Sequence, residues 1–285
     1  MIMEENKSKL SKVWQKIPII IRAIILGFSI STIGVLTWSV LATFVPMPWS
    51  FILMMGILWM FWKYFSGNWW PNSTKEFRKE NFRKHKLPPR KLLFGLLAAL
   101  FIVVIEQSGL IVTFRLIEFP AERFSVEYSF LENVPLWVAW LVVIMISAVA
   151  GICEEIGFRG YMQVPIEKKY GPFAAISIVS VVFVLVHLHQ AWSGPILIQI
   201  FFISVLFGSI AYYSGSLIPG IIAHIIMDVF NFSFWWTKIG WQFDKETIYK
   251  TGMDLQFLIW SLIFIFSIAL FVLLLRKLRL LKIEN

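Results

Sequence analysis

Ala150-Gly-Ile-Cys-Glu-Glu-Ile-Gly-Phe-Arg159 sets two adjacent carboxylates, Glu154 and Glu155, and the guanidinium of Arg159 inside a stretch otherwise apolar enough to lie in lipid. An ionisable side chain at the centre of a membrane helix costs roughly 3 kcal/mol even on the mildest scales, so such groups are paired, face a cavity and serve a function. Two later apolar segments make the same exception: one carries His187, the other His224 with Asp228 four residues on. Three helices bearing groups that lipid rejects must turn those groups toward one another. The stretch therefore decides the fold class: an all-α polytopic membrane protein, its helices arranged around a polar intramembrane cavity.

The rest of the chain agrees. It is 58% hydrophobic, 17% aromatic and only 15% charged over 285 residues, with a mean hydropathy of +0.75, values that exclude an ordinary soluble domain. About 20 apolar residues cross a bilayer as a helix. By that measure there are about eight transmembrane helices, over 22–45, 49–65, 91–114, 135–162, 172–187, 195–213, 217–234 and 255–275. The fourth is long enough to tilt or emerge from the membrane, and the second and fifth are short. The single cysteine, Cys153, rules out an internal disulfide and a cysteine-based zinc site, and is read as a packing residue.

A net charge of +9 is explained first by topology and anionic headgroups, so no nucleic-acid partner is expected. The Lys-rich start, Lys7, Lys9, Lys12 and Lys16, precedes an apolar run too long for a cleaved signal, and is read as leading into a retained first span. With both termini cytoplasmic, the inner side also collects the loop 66–90, Lys168, Lys169 and the tail from Arg276 to Lys282. Only Arg115, Arg123, Lys238, Lys245 and Lys250 then lie outside, as the positive-inside rule requires of a multi-pass cell-membrane protein. This divides the chain into a basic N-terminus (1–21), three N-terminal spans (22–133) with the basic loop 66–90, a catalytic core (134–234), and a last span with a basic tail (235–285). The loop 66–90 mixes basic residues with Trp69, Trp70, Phe77 and Phe82 and is expected to be an amphipathic helix on the lipid surface. The charges of the outer loop 115–133 are expected to be solvated.

Helix geometry sorts the polar residues. Glu155 and Arg159 stand four apart on one face and can pair, while Glu154 points about 100° away and stays free to act. Gly151, Gly157 and Gly160 permit close helix approach. Phe183 lies four residues before His187 and packs beneath its ring; His189 falls about 200° around the helix, so only one of the two histidines should face the site, and His187 is chosen. His224 and Asp228 share a face, a spacing that suits joint metal coordination or a carboxylate orienting an imidazole. Ser216 and Pro219 mark the start of that helix. Glu106 and Gln107 lie in the third span without an evident partner. One free carboxylate, two imidazoles and an aspartate supply what water activation needs: Glu154 as base, with the histidines either stabilising an oxyanion or holding Zn²⁺ together with Glu154 and Asp228. Neither HExxH nor GxSxG occurs.

Glu154-Glu155-x-x-x-Arg159, Phe183-x-x-x-His187 and His224-x-x-x-Asp228, in this order on successive apolar spans, resemble the motif set of the CAAX protease and bacteriocin-processing (CPBP) family of intramembrane proteases, which includes the Ras-converting CAAX endopeptidase. The resemblance covers mainly 134–234. It implies catalytic roles for Glu154, His187, His224 and Asp228, supporting roles for Glu155, Arg159 and Phe183, and a cavity open to the cytosol. It implies either a metalloprotease or a metal-free glutamate protease, with a membrane-associated peptide, prenylated CAAX or leader-type, as substrate. Asp228 stands where the eukaryotic CAAX enzymes have Asn; an ionised Asp cannot donate to an oxyanion, so orienting a histidine or binding metal suits it better. Two other readings use the same residues: a non-catalytic bacteriocin-immunity or scaffold protein that binds a peptide, and an ion-coupled transporter.

Overall fold

The computed structural model describes residues 9–83, 87–122, 128–190, 194–243 and 245–281. Lys7, Arg123, Glu127, Lys282 and the stretch 84–86 of the basic loop lie outside them. The elements are helical throughout: α1 (Lys9–Lys16), α2 (Ile19–Phe44), α3 (Trp49–Phe65), α4 (Lys75–Asn81), α5 (Pro89–Leu116), α6 (Leu136–Glu154), a π-helical segment (Glu155–Met162), α7 (Gln163–Val186), α8 (Gly194–Ser214), α9 (Ile218–Trp236), α10 (Ile248–Thr251) and α11 (Leu255–Leu280). No strand occurs among the described residues.

Six helical stretches are long and apolar enough to cross a membrane, and Trp49–Phe65 is a shorter apolar helix. One of the six, Leu136–Val186, is 51 residues long. It breaks at Gly171, which adopts φ +82°, a conformation open to glycine and strained for other residues, and Pro172 follows. The break divides this stretch into two apolar helical runs, so that with Trp49–Phe65 the apolar segments among the described residues number eight, as expected from sequence. The fourth outruns its expected end, since helical backbone continues past Met162 to the break.

Packing follows side-chain size. Gly27 of α2 meets the π-helical segment so closely that a Cβ there would stand 2.7 Å from the Gly157 carbonyl oxygen, and a Cβ on Gly157 would strike the Gly27 oxygen in turn. Helices of a membrane protein gain little from hydrophobicity between themselves, so backbone contact of this kind is what holds them. Elsewhere α5 lies along α11, α8 and α9, α9 along α6, and α7 along α8. Cys153 is fully buried beside Trp38, Met54 and Val149.

Two expectations about the loops need correction. The described part of 66–90 is not one amphipathic surface helix: apart from Pro89 and Arg90, which open α5, only Lys75–Asn81 is α-helical there, and Arg78 turns inward, 2% exposed, to donate to the carbonyls of Tyr64, Trp69 and Pro71. Carbonyls left open where α3 ends recruit the guanidinium away from the lipid surface. Arg115 is likewise not solvated. It is fully buried, and its guanidinium spans Asp254 (2.6 Å), Thr251 (2.8 Å) and the Glu246 carbonyl (2.6 Å), tying the end of α5 to the start of α11.

Candidate active site

Glu154 ends α6 and Glu155 opens the π-helical segment, so the two neighbours sit where the hydrogen-bond ladder changes from i+4 to i+5, a feature that recurs at functional sites. Their fates differ. Glu155 is fully buried, and its Oε1 lies 3.1 Å from Arg159 Nη1 and 3.0 Å from His224 Nδ1. Arg159 is fully buried too, donates to Ser204 Oγ at 3.2 Å, and is packed among the rings of Phe183, Phe207 and Phe158 at 4.5, 5.2 and 5.8 Å. Glu154 faces the cavity, with Oε2 3.9 Å from His224 Nε2.

His224 is thus held from several sides. Glu155 takes Nδ1, Phe207 stacks on the ring with centroids 5.0 Å apart, and Nε2 is left facing Glu154 and, at 3.8 Å, Asp228. A carboxylate paired with arginine can only accept, so Nδ1 carries the proton it shares with Glu155. The spacing of His224 and Asp228 suggested that Asp228 orients the imidazole; the carboxylate in hydrogen-bond contact is Glu155, brought from another helix. Gly220, one turn before His224, makes room for it: a Cβ there would come 2.9 Å from Glu155 Oε2. The N-cap of α9 is Leu217 rather than Ser216, which lies one residue earlier and accepts from the Ile218 N–H through its Oγ at 3.2 Å.

His187 ends α7, its ring 4.3 Å from that of Phe183 and its Nδ1 2.8 Å from the Phe183 carbonyl oxygen. A carbonyl only accepts, so Nδ1 carries the proton and Nε2 is the free nitrogen. The helical-wheel argument set His189 on another face. Instead, both histidines line the cavity, their rings 5.9 Å apart, because the α-helix stops at Val186 and the chain tightens into a 3₁₀ turn over Leu188–Gln190.

The cavity has a volume of about 420 Å³. Glu154, His187, His224 and Asp228 all line it, as do Glu106, Gln199 and Asn231, which sequence reasoning either left unpaired or passed over. Asn231 lies seven residues after His224, hence near the same helix face, a signal that could have singled it out. Gln199 and Ser204 on α8 had none.

As a metal site the arrangement fits poorly. Among the described residues no three His, Cys, Asp or Glu side chains gather closely enough to hold an ion.

Residues 135–230 match the family model described as "Type II CAAX prenyl endopeptidase Rce1-like". The matched segment runs from the start of α6 to α9 and contains the residues of all three polar motifs. Neither the comparison with curated proteins nor that with solved structures gave a match. Over this segment the chain is similar to that family, which supports its assignment among the CAAX and bacteriocin-processing proteases.

Proposed function

We propose that the chain is an intramembrane endopeptidase that hydrolyses a peptide bond of a membrane-associated peptide, prenylated CAAX or leader-type, with Glu154 as the base that activates water. The observation that carries this reading is the relation of Glu154 to His224. Glu154 Oε2 is buried with no hydrogen-bond partner among the described residues, and the 3.9 Å separating it from His224 Nε2 is too long for a direct bond. A water taken into this gap from the cavity would bridge the two atoms.

In this reading Glu154 takes a proton from that water as its oxygen attacks the scissile carbonyl carbon, and returns the proton to the leaving amine. Nδ1 of His224 and Nδ1 of His187 are both occupied, so the ring nitrogen each offers to substrate is Nε2. When protonated, either can donate to the oxyanion of the tetrahedral intermediate. Asp228 flanks His224 Nε2 at 3.8 Å, beyond direct hydrogen-bond reach, and puts a second carboxylate beside the water position. Glu155 and Arg159 fix His224 and touch no substrate. The basic loop and tail favour a topology with both termini on the cytoplasmic side of the cell membrane.

Cleavage by purified protein tests this, wild type beside Glu154→Gln, on prenylated CAAX peptides and hydrophobic leader peptides, with and without a zinc chelator. The expected outcome is cleavage of at least one class by wild type, none by the variant, and no effect of the chelator. Full activity in Glu154→Gln would end the reading, and loss of activity on chelation would restore a metal to it. A peptide bound equally by both proteins and cut by neither would favour the non-catalytic binder.

A further inference from the structure

We infer that the cavity contains a second subsite, built on Glu106, that receives a basic side chain of the substrate about three residues from the scissile bond. The inference rests on the peptidase reading above and adds a substrate preference to it.

Glu106, at mid-length of α5, is 8% exposed and lines the cavity. Two amides bond to it from neighbouring helices: Asn231 Nδ2 donates to Glu106 Oε1 at 3.3 Å, and Gln199 Nε2 donates to the Glu106 main-chain carbonyl at 3.0 Å. The main-chain carbonyl can only accept, and Glu106 Oε1 accepts from Asn231, so both amides turn their NH₂ groups to Glu106. Their oxygens are then left over. Asn231 Oδ1 and Gln199 Oε1 are both buried without a hydrogen-bond partner among the described residues, although both side chains line the cavity. Unpaired buried acceptors are costly and therefore uncommon.

Two oriented acceptor oxygens beside a carboxylate call for a guest with several N–H donors and a positive charge, which describes an ammonium or guanidinium. The protein supplies no such group itself: among the described residues no lysine or arginine lines the cavity. Position sets the register. Asn231 follows His224 by seven residues on α9, about 10 Å along a helix axis. An extended peptide advances about 3.3 Å per residue, so a side chain reaching Glu106 belongs about three residues from the bond held at Glu154 and His224.

The test scans a single lysine, against glutamine, along a prenylated CAAX peptide and a hydrophobic leader peptide. Wild type should favour lysine at one position about three residues from the bond by about tenfold in kcat/KM, the effect of one charge-assisted contact. Glu106→Gln should erase that preference, read as the ratio of lysine to glutamine kcat/KM within the variant itself. Binding of the same peptides to Glu154→Gln protein reads the preference without turnover. A lysine preference in binding with no turnover by wild type would sink the peptidase reading and keep the subsite. Equal handling of lysine and glutamine at every position, or a preference unchanged in Glu106→Gln, would overturn the subsite and leave the peptidase reading standing. If Glu106→Gln binds no peptide at all, Gln199→Leu, which removes an acceptor while keeping the carboxylate, should weaken only the lysine peptide; equal weakening of both would also overturn it.

Discussion

Arg115 and Arg159 are both wholly buried, both paired with a carboxylate, and both link helices distant in sequence. What differs is where the partner's other contacts lead. Asp254, the partner of Arg115, is 34% exposed at its side chain and caps α11 by accepting the Phe257 N–H at 2.8 Å. That network ends in backbone. Glu155, the partner of Arg159, has no exposure and passes its second contact to His224, whose other nitrogen faces the cavity. Two similar ion pairs thus serve different ends: one fastens α5 to α11, and the other fixes the imidazole of the site.

The largest expected effect breaks the second pair. In Glu155→Gln the charge of Arg159 stays buried without its counter-ion, a change that costs about 3–5 kcal/mol at other buried pairs. Thermal unfolding in detergent should show a large drop in stability, with cleavage lost as well. Glu154→Gln, one residue away, should lose cleavage while its unfolding midpoint stays near that of wild type. Replacing both partners, Glu155→Leu with Arg159→Met, should recover much of the stability and none of the cleavage, because two apolar side chains fill the space and leave His224 Nδ1 unheld. Equal destabilisation by Glu154→Gln and Glu155→Gln would erase the distinction between the neighbours.

A smaller effect is expected at the backbone contact that seats the same segment. A Cβ at Gly157 would meet the Gly27 carbonyl and crowd the backbone and side chain of Ser31. Gly157→Ala must therefore move α2 away from the π-helical segment, at a cost of about 1–3 kcal/mol for overpacking. Gly56→Ala, where no atom lies within 4 Å of the added methyl, is the control and should leave both stability and cleavage unchanged. Similar losses in the two variants would mean that close approach at Gly157 is not what seats the segment.

What the chain discloses about itself follows the range of each interaction. The apolar segments were legible because hydrophobic length is a local property, and the Glu155–Arg159 and Phe183–His187 contacts were legible because residues four apart meet on any helix. The break at Gly171–Pro172 was marked by residue type. By contrast, the bond from Glu155 to His224 joins residues 69 apart, and no periodicity encodes it. The polar groups that Glu106 gathers from α8 and α9 were hidden for the same reason. His189 was misplaced because the wheel was extended past the end of its helix, and Arg115 because a charge beside a loop was assumed to stay in water.

The smallest effect lies at the first pair. Arg115→Met should lower stability modestly and leave cleavage intact, since neither Arg115 nor its partners Asp254 and Thr251 line the cavity. Asp254 supplies a finer probe. Its hydrogen bonds from the Arg115 guanidinium and the Phe257 N–H hold its carboxyl below the usual aspartate range. A depressed folded value means that the contribution is fully present above the unfolded pKa of about 3.9 and is lost as pH falls through the lower folded one. Asp254→Asn keeps an oxygen able to cap α11 and removes only the charge, so the variant should be somewhat less stable than wild type at neutral pH. The difference between the two should stay constant down to about pH 5 and shrink below it. In Arg115→Met the same substitution should change little at any pH. A gap between wild type and Asp254→Asn that persists undiminished below pH 3 would show that the Arg115 pair holds α11 by shape alone, without help from its charge.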